Sequence, residues 1–374
     1  MKELGIYIHI PFCIRKCNYC NFYSVQYKTE LVERYISSIS KEISSFTGSS
    51  DYYVSSMYLG GGTPSLLELA QLYPIFALIS EKFYINENCE LTIEANPKTV
   101  SAQKTKDWHI LGINRVSLGV QSFNNDELFV LGRLHKAKHV YSAYESIIKN
   151  TTDNISFDLI YGIPEQTTDK WVNSLKKAIE LKPKHISTYC LSIEKGTPFY
   201  DKRNELHLPS ASQQRKMYYL GLSLLESSSY QQYELSNFSK PGFSAKHNVA
   251  CWEGKEYIGF GASAHSFYQN KRWANFSDIH QYILYIQNQK KPREFENKIA
   301  QREYITDRIF LGLRLIKGIN MAEFKKQYNF NIQEEYKDVL RKYQKENLLI
   351  IEDNFLRLAR KAYFVSDEIL SEFV

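Results

Sequence analysis

The sequence predicts an α/β protein built on a partial (β/α)6 TIM-like barrel, followed by a small, mostly helical, winged-helix-like C-terminal domain. Three observations support this prediction. Six strand-like apolar runs alternate with helix-like stretches, polar residues recur after the same end of each run, and the C-terminal quarter changes to charged, helical patterns. Alternating strands and helices are typical of parallel strands joined by crossover helices.

The barrel elements are predicted from residue 4 to residue 191. The strand-like runs cover residues 4–10, 54–59, 90–95, 115–120, 155–160 and 185–191. The helix-like stretches cover residues 30–45, 66–82, 102–111, a pair of short helices up to residue 148, and residues 171–180. Six such units make about three quarters of an eight-fold barrel, which would leave one side open.

After the sixth strand the pattern changes. A helix is predicted over 211–227 and a strand over 230–235, and residues 242–267 are rich in glycine and aromatic residues that would extend the sheet and shape a pocket. Further helices are predicted over 305–315, 319–328 and 333–345, and a small hairpin over 348–351 and 356–358. The chain is therefore divided into a core of residues 1–277 and a C-terminal domain of residues 278–374.

Composition narrows the class of protein. The chain has 374 residues, enough for two domains of about 150 residues each. Its net charge of +6 comes from Lys and Arg that are spread out, so we expect no nucleic-acid partner. The six cysteines do not form a disulfide framework, and we find neither a signal peptide nor an apolar run of about 20 residues. A cytoplasmic protein is the expectation.

Three cysteines dominate the N-terminal region. Cys13, Cys17 and Cys20 follow the first strand at C-x3-C-x2-C spacing, so their thiolates can share one metal centre. A [4Fe-4S] cube is saturated by four cysteines, so three would leave one iron free for a ligand. The alternatives are a zinc site that adds His9 to the three thiolates, or three unrelated thiols.

Other polar groups recur at the carboxyl ends of the strands, where functional residues cluster in barrels of this kind. The run Gly60-Gly61-Gly62-Thr63-Pro64 follows the second strand, and its backbone N–H groups could bind a charged ligand. Glu94, Gln121 and Asp158 end the third, fourth and fifth strands. Taken singly, the two carboxylates could be helix caps and the glutamine could bond to a loop.

The three-cysteine loop and the glycine run, in this order, resemble the radical S-adenosylmethionine (SAM) family. The resemblance implies that the cysteines hold a [4Fe-4S] cluster whose open iron chelates the amino and carboxylate groups of SAM. It also implies that the glycine run binds the amino end of SAM. Reductive cleavage of SAM to a 5′-deoxyadenosyl radical is the chemistry of these cofactors.

Longer segments narrow the resemblance. GGGTP, TIEANP, RVSLGVQSF, LGRLH, FDLIYGIP and HNVACW are similar to one branch, which holds the oxygen-independent coproporphyrinogen III oxidase and a heme chaperone. The resemblance covers nearly the whole chain. It implies the following SAM contacts: Tyr7 and Tyr19 beside the cluster, Gly61, Gly62 and Thr63 at the amino end, Glu94 and Gln121 at polar groups, Arg133 at the carboxylate region, and Asp158 at the ribose hydroxyls.

Three features favour the chaperone side of this branch. The oxidase has a fourth cysteine where this chain has Phe22, and it has a longer segment before the first strand. His247 begins HNVACW, which resembles the chaperone motif H-N-x-x-Y-W, and the resemblance implies that this histidine ligates heme. Cys251 replaces the tyrosine of the motif. It is either a core thiol or a second, soft ligand.

The sequence therefore predicts a heme chaperone that binds a [4Fe-4S] cluster, SAM and one heme per monomer. It would transfer heme to acceptor hemoproteins, membrane-bound respiratory ones among the candidates. The alternative is an oxygen-independent coproporphyrinogen III oxidase, in which the radical attacks the propionates of a porphyrinogen. A DNA-binding regulator that uses the C-terminal domain is a third, weaker hypothesis, because a fold alone does not establish DNA binding.

Overall fold

The computed structural model describes residues 1–48 and 50–374. The strands, numbered along the chain, are β1 Lys2–Ile10, β2 Phe12–Cys13, β3 Val25–Gln26, β4 Tyr52–Gly61, β5 Tyr84–Ala95, β6 Arg115–Gln121, β7 Ile155–Tyr161, β8 His185–Cys190, β9 Gln231–Gln232, β10 Asn237–Ser239, β11 Glu256–Phe260, β12 His265–Tyr268, β13 Lys271–Asn275, β14 Arg293–Lys298, β15 Ile319–Asn320, β16 Leu349–Glu352 and β17 Phe355–Leu358.

Helices connect most of these strands. They are α1 Thr29–Ser45, α2 Leu69–Lys82, α3 Ala102–Ile110, α4 Asn125–Val130, α5 Ala137–Asn150, α6 Thr168–Glu180, α7 Pro198–Asp201, α8 Ala211–Ser227, α9 Lys246–Trp252, α10 Ile279–Gln287, α11 Gln301–Gly312, α12 Met321–Tyr328, α13 Ile332–Glu335, α14 Lys337–Lys345 and α15 Ser366–Ser371. Short 3-10 turns cover Pro64–Leu66, Pro97–Thr99 and Arg360–Val365.

The main sheet confirms the predicted barrel. Strands β1, β4, β5, β6, β7 and β8 lie side by side in this order, and each pairs in parallel with the next. Their alternating side chains fill the interior, and the helices between them cover the outside. The carboxyl ends of all six strands therefore point to the same face of the barrel, as expected for a βα repeat.

The sheet continues beyond the six predicted strands. Strand β11 pairs in parallel with the free edge of β1, and β12, β13 and β14 follow it as antiparallel strands. At the other edge β8 pairs with β10, which pairs with β9. The strand predicted over 230–235 is wrong in extent, because only Gln231–Gln232 is extended there and the chain turns before Asn237–Ser239.

The C-terminal region is helical and ends in the predicted hairpin, which β16 and β17 form with β15 beside them. Ile319–Asn320 is a strand rather than the start of a helix, because the Asn320 side chain caps α12 by accepting from the N–H groups of Ala322 and Glu323. The helix predicted over 333–345 is interrupted at Tyr336, between α13 and α14.

Two large hydrophobic clusters support the two regions. Helix α10 packs its residues Ile279, Tyr282 and Ile283 into the cluster of the barrel. A second cluster is formed by residues of α11, the hairpin and the C-terminus, such as Ile309 and Leu356. The division between residues 277 and 278 stays a prediction, and this packing favours a later start of the C-terminal unit. No helix in the described ranges is long and apolar enough to span a bilayer.

Candidate functional site

A pocket of about 370 Å³ opens at the carboxyl ends of the barrel strands and continues into the barrel interior. The predicted site residues that line it are Cys13, Cys17, Tyr19, Cys20, Gly61, Gly62, Thr63, Glu94, Gln121, Arg133 and Asp158. Residues more than a hundred positions apart thus meet at one face, because parallel strands bring their ends together.

The cysteine loop is held in place by backbone and side-chain bonds on both sides. Strand β2 pairs with β3 just outside the loop, at Phe12 and Cys13. The Asn18 amide donates to the carbonyl oxygen of Val130 at 2.8 Å, and the Arg15 guanidinium donates to the carbonyl oxygen of Gly132 at 2.8 Å. The loop is therefore anchored to the turn after α4, and its thiols face the pocket.

Each thiol lies in a defined environment. The Cys13 Sγ lies 3.6 Å from the Thr63 hydroxyl, and Arg133 Nη1 donates to Cys17 Sγ at 3.4 Å. Burial raises the pKa of the Cys20 thiol to about 11. An arginine beside a thiol favours the thiolate, which is the form that binds metals.

The zinc alternative is not supported, because His9 is engaged elsewhere. Its Nδ1 shares a hydrogen bond of 3.0 Å with the Tyr7 hydroxyl, and its Nε2 shares one of 3.1 Å with the Tyr23 carbonyl oxygen. Across residues 1–48 and 50–374, no three imidazole, thiol or carboxylate groups are close enough to hold a single ion. Three thiols around one pocket fit a cluster, whose sulfur ligands bind separate irons.

The glycine run forms a tight turn against the start of the cysteine loop. The Gly62 N–H donates to the Ile10 carbonyl oxygen at 2.8 Å, and Gly61 has φ of +112°. A Cβ on Gly61 would lie 2.6 Å from the His9 ring, and one on Gly62 would lie 2.8 Å from the Phe12 carbonyl oxygen. These positions therefore require glycine because neighbouring segments of the chain lie so close, whether or not a ligand is bound.

Glu94 is fixed beside this turn. Its Oε1 accepts from the Tyr58 hydroxyl at 2.8 Å, and its Oε2 accepts from the Gly61 N–H at 3.1 Å. Burial raises the pKa of the Glu94 carboxyl to about 7, although the two hydrogen bonds oppose the shift. A cationic ammonium group at this position would favour the ionised carboxylate.

Asp158 is surrounded by hydroxyl donors. Its Oδ2 accepts from Ser117 at 2.8 Å, and its Oδ1 accepts from Ser187 at 2.9 Å and from Ser156 at 3.3 Å. Burial raises the pKa of Asp158, and these hydrogen bonds oppose the rise. Ser156 also shares a 2.7 Å hydrogen bond with His185, so the acceptor is part of a wider polar network.

Gln121 and Arg133 complete the polar wall. Gln121 has φ of +63° where the pairing of β6 with β7 changes register, a conformation that is uncommon for residues other than glycine. Arg133 Nη2 donates to the Gly119 carbonyl oxygen at 2.9 Å. Its Nε is buried and has no hydrogen-bond partner in the described part of the chain, so a ligand could satisfy it.

Several pocket residues were not singled out from the sequence. They are Tyr58, Ser117, Ser156, His185, Ser187 and Tyr189. Those on β4, β6 and β7 share a period of two with the predicted residues on the same strands, as in Ser117–Gly119–Gln121 and Ser156–Asp158–Ile160, and His185, Ser187 and Tyr189 alternate in the same way along β8. Because alternate residues of a strand face the same side, this polar alternation could have identified them.

His247 lies apart from the pocket lining. It is 7% exposed, its Nδ1 shares a 3.0 Å hydrogen bond with the Ser56 hydroxyl, and its ring stacks 5.3 Å from the Tyr58 ring. Tyr7 stacks on the same two rings and is also outside the lining in the residues described. Burial lowers the pKa of the His247 imidazole to about 4, so the ring is neutral.

Helix α9, which carries His247, lies across the barrel interior. Its first N–H groups, those of Lys246 and His247, donate to Glu90 Oε1 at 2.8 and 3.4 Å. Asn248 lines the pocket that contains the three cysteines, which we call the cluster-side pocket. Trp252 lines a cavity at the opposite end of the barrel. Cys251 is partly exposed, and burial raises the pKa of its thiol to about 12.

Comparison with known proteins identifies related chains. The Radical SAM superfamily description matches residues 7–178, and that of the HemN C-terminal domain matches residues 299–365. A protein of Bacillus subtilis named "Heme chaperone HemW" is 33% identical over 98% of both chains. A Lactococcus lactis protein with the same name is 32% identical over all of this chain and 98% of its own length.

A solved structure shows the same fold. The coproporphyrinogen III oxidase HemN of Escherichia coli superposes with a TM-score of 0.87, at 22% identity, over 100% of this chain and 90% of the oxidase. This confirms the α/β barrel with a helical C-terminal region. On the relatives of about one-third identity over nearly its whole length, the chain belongs to the radical SAM superfamily and, within it, to the HemW family.

Proposed function

We propose that this protein is a heme chaperone, which binds a [4Fe-4S] cluster, SAM and one heme per monomer and passes the heme to acceptor hemoproteins. The observation that supports it most is the full-length similarity to proteins named heme chaperone HemW. Phe22, exposed at the mouth of the cluster-side pocket, stands where the oxidase has its fourth cysteine. Acceptors in the cytoplasm or at the respiratory membrane remain part of the proposal.

The cluster-side pocket would hold the cluster and SAM through groups that the chain already positions. Cys13, Cys17 and Cys20 would ligate three irons, and the fourth iron would supply an open coordination position for SAM. Glu94 would accept a hydrogen bond from the amino group of SAM, and Asp158 would bind its ribose hydroxyls. The serines around Asp158 keep its carboxylate in one orientation, which lowers the entropy that binding must overcome.

The heme half of the proposal places an iron contact at His247. The ring is neutral, which is the form that ligates heme iron. It is also buried and bonded to Ser56, so iron could reach it only after α9 has moved. Helix α9 has seven residues and is capped by Glu90 at its start, so a small rearrangement of one short helix is sufficient.

The test compares His247→Ala with His280→Ala, an exposed histidine on α10. Each cluster-reconstituted variant is titrated with heme under anaerobic conditions and then mixed with an apo-hemoprotein. We expect H247A to bind heme at least about tenfold more weakly and H280A to behave as the wild type. Equal affinity and equal transfer in all three proteins would remove His247 from the proposal.

The second candidate function is the oxygen-independent coproporphyrinogen III oxidase, which the shared fold favours. An oxidase converts coproporphyrinogen III to a product, whereas a chaperone transfers heme without changing it. Incubation with coproporphyrinogen III, SAM and a reductant should therefore yield no protoporphyrinogen. Its formation at several turnovers per chain would replace the chaperone proposal with the oxidase.

A further inference from the structure

A second, larger cavity lies at the opposite end of the barrel. Its volume is about 1010 Å³, and it lies between the amino ends of β1, β4 and β11, the end of α9, and helices α11 and α12. We call it the outer cavity. Six aromatic side chains line it: Tyr52, Trp252, Phe267, Tyr304, Phe324 and Tyr328. Its size and aromatic lining suit a flat organic ligand.

Arg308 of α11 is the distinctive polar group of this cavity. It is only 6% exposed, and its guanidinium lies over the rings of Tyr304 at 4.6 Å and Phe267 at 4.9 Å. Its Nε and Nη1 are buried without a hydrogen-bond partner, and no bond from Nη2 exists among the described residues. Since Nη2 is not enclosed in the same way, it is the atom that a ligand in the cavity can reach.

The end of α9 is shaped around this arginine. Gly254 has φ of +69° and closes the helix, because the N–H groups of Gly254 and Lys255 donate to the carbonyl oxygens of Cys251 and Ala250. A Cβ on Gly254 would lie 1.0 Å from Arg308 Nη1, so the guanidinium rests directly on the glycine. The carbonyl end of a helix attracts a cation, but only by about 0.3–1 kcal/mol.

Two other cations of the outer cavity are paired, whereas Lys2, an exposed residue of the lining, has no carboxylate within 4.0 Å in the described chain. Lys317 contacts Glu253 at 2.6 Å, and Lys255 contacts Glu3 at 3.7 Å. Arg308 has no carboxylate within 4.0 Å in the described chain, although Asp51 and Glu323 are exposed on the cavity wall. A buried cation without an anion is costly, and a ligand carboxylate would offset that cost.

We propose that the outer cavity receives the tetrapyrrole, with the macrocycle between the aromatic side chains and one propionate on Arg308. The idea rests on the proposed heme function and deepens it by naming a docking site that needs no iron ligand. Because Trp252 and His247 belong to the same helix, a macrocycle in the cavity would press on α9, the element that must move to uncover His247. Docking at Arg308 would then precede iron contact.

Metal-free protoporphyrin IX is the probe, because it has the ring and the propionates but no iron for His247. Arg308→Met keeps an apolar stem between Phe267 and Tyr304 while removing the charge, and Arg302→Met, exposed on the same helix, is the matched control. A charge-assisted hydrogen bond contributes about 1.5–3 kcal/mol, so we expect R308M to bind about tenfold or more weakly. R302M should bind as the wild type does.

A second variant tests the cavity without touching Arg308. Gln327 is exposed and lines the outer cavity, so Gln327→Trp should obstruct it without disturbing the core, and we expect a similar loss of porphyrin affinity. Thermal unfolding of each variant shows that it is folded. Wild-type affinity, within about twofold, in both R308M and Q327W would overturn the proposal.

The same titrations separate this inference from the proposed function. If H247A loses heme affinity while R308M keeps its porphyrin affinity, the chaperone proposal is supported and the outer-cavity site is wrong. If R308M loses porphyrin affinity but the heme-bound wild type transfers no heme, the outer-cavity site is supported and the chaperone proposal is wrong. If the wild type binds neither heme nor porphyrin, both are wrong.

Discussion

The two ends of the barrel differ in how their buried polar groups are hydrogen-bonded. At the cluster side, Glu94 and Asp158 are held by hydroxyl and N–H donors from neighbouring strands. At the outer cavity, Arg308 Nε and Nη1 and Trp252 Nε1 are buried without hydrogen-bond partners in the described chain. The carboxylates of the first end are preorganised for a polar ligand, although Arg133 Nε there also lacks a partner, whereas at the second end Arg308 Nη2 is the donor that a ligand could reach.

This difference follows from how the two ends are built. The cluster-side pocket lies at the ends of six parallel strands, whose alternation fixes the side chains in register. The outer cavity is formed by the amino ends of β1, β4 and β11, by the end of the short helix α9 and by helices from the C-terminal region. Two elements line both ends: helix α9 through Asn248 and Trp252, and strand β4 through Tyr58 and Tyr52.

The largest effect should come from removing a cluster ligand. Cys17→Ser would leave two thiols, and we expect the anaerobically reconstituted protein to lose most of its iron and sulfide. Cys190→Ser is the matched control, because Cys190 lines the same pocket from β8 and is outside the loop. Measurement of the iron and sulfide content of the two variants tests this prediction. Porphyrin binding at the outer cavity should survive in both variants, and its loss in C17S would show that the two ends are coupled.

The next largest effect should come from the glycine turn. Gly61→Ala would place a Cβ 2.6 Å from the His9 ring at φ +112°, and we expect a loss of several kcal/mol of folding stability and of SAM binding. Gly196→Ala has φ +79° with no heavy atom within 4 Å, so only the backbone strain of about 1 kcal/mol remains. Thermal unfolding of the pair measures the difference, and equal midpoints would contradict the steric argument.

A smaller effect should appear in the pH dependence of the cluster-side pocket. The pKa of Glu94 is about 7 in the folded chain and that of a free glutamate is about 4.3, so the folded state holds the proton more tightly. The contribution of Glu94 to folding stability should therefore be greatest below pH 4.3, decline as the pH rises to 7 and be lost above it, a change of up to about 4 kcal/mol. Urea unfolding at a series of pH values measures it.

The same carboxyl should affect SAM. An ionised Glu94 is a stronger hydrogen-bond acceptor for the amino group of SAM, so the affinity for SAM should rise between pH 6 and pH 8 in the wild type. Glu94→Gln should flatten both curves, and Glu87→Gln, an exposed residue of the same strand, should leave them unchanged. Identical pH curves for E94Q and the wild type would show that Glu94 does not titrate in this range.

The smallest effect should come from a surface ion pair at the outer cavity. Lys317 contacts Glu253 at 2.6 Å, but its side chain is 60% exposed. Exposed pairs contribute about 0–1 kcal/mol, so Lys317→Gln should shift the unfolding midpoint only slightly. It should also leave porphyrin affinity near the wild-type value, because Arg308 is the buried cation of the cavity and has no carboxylate partner in the described chain. A loss of porphyrin affinity as large as that of R308M would indicate that Lys317 binds the propionate.

Much of the barrel was predictable because its strands are apolar runs flanked by clear helices. Each predicted strand matches an observed one, although β5 begins at Tyr84 rather than at residue 90. Residues 242–267 were predicted to extend the sheet, and β11 and β12 do extend it, but the bounds and pairing of β11 to β14 were not predicted. They follow no βα repeat, and β11 pairs with β1, which lies about 250 residues away in sequence. Such pairing depends on tertiary structure that no local pattern records.

The candidate site shows a similar division. The cysteines and the glycine run were visible as spacing, and the structure places them around one pocket. The serines around Asp158 have no motif of their own and become visible only through the strand alternation. Arg308 could not be found from the sequence, because nothing in α11 distinguishes a buried arginine from the exposed Arg302. Its burial results from packing against Gly254 of a distant segment.

The most direct test of the account is an anaerobic heme titration of the cluster-reconstituted protein, followed by visible absorption. The account predicts saturation at one heme per chain with micromolar or tighter affinity, and subsequent transfer of that heme to an apo-hemoprotein. Absence of a saturable heme band would contradict it, and the assay for coproporphyrinogen oxidation would then be decisive.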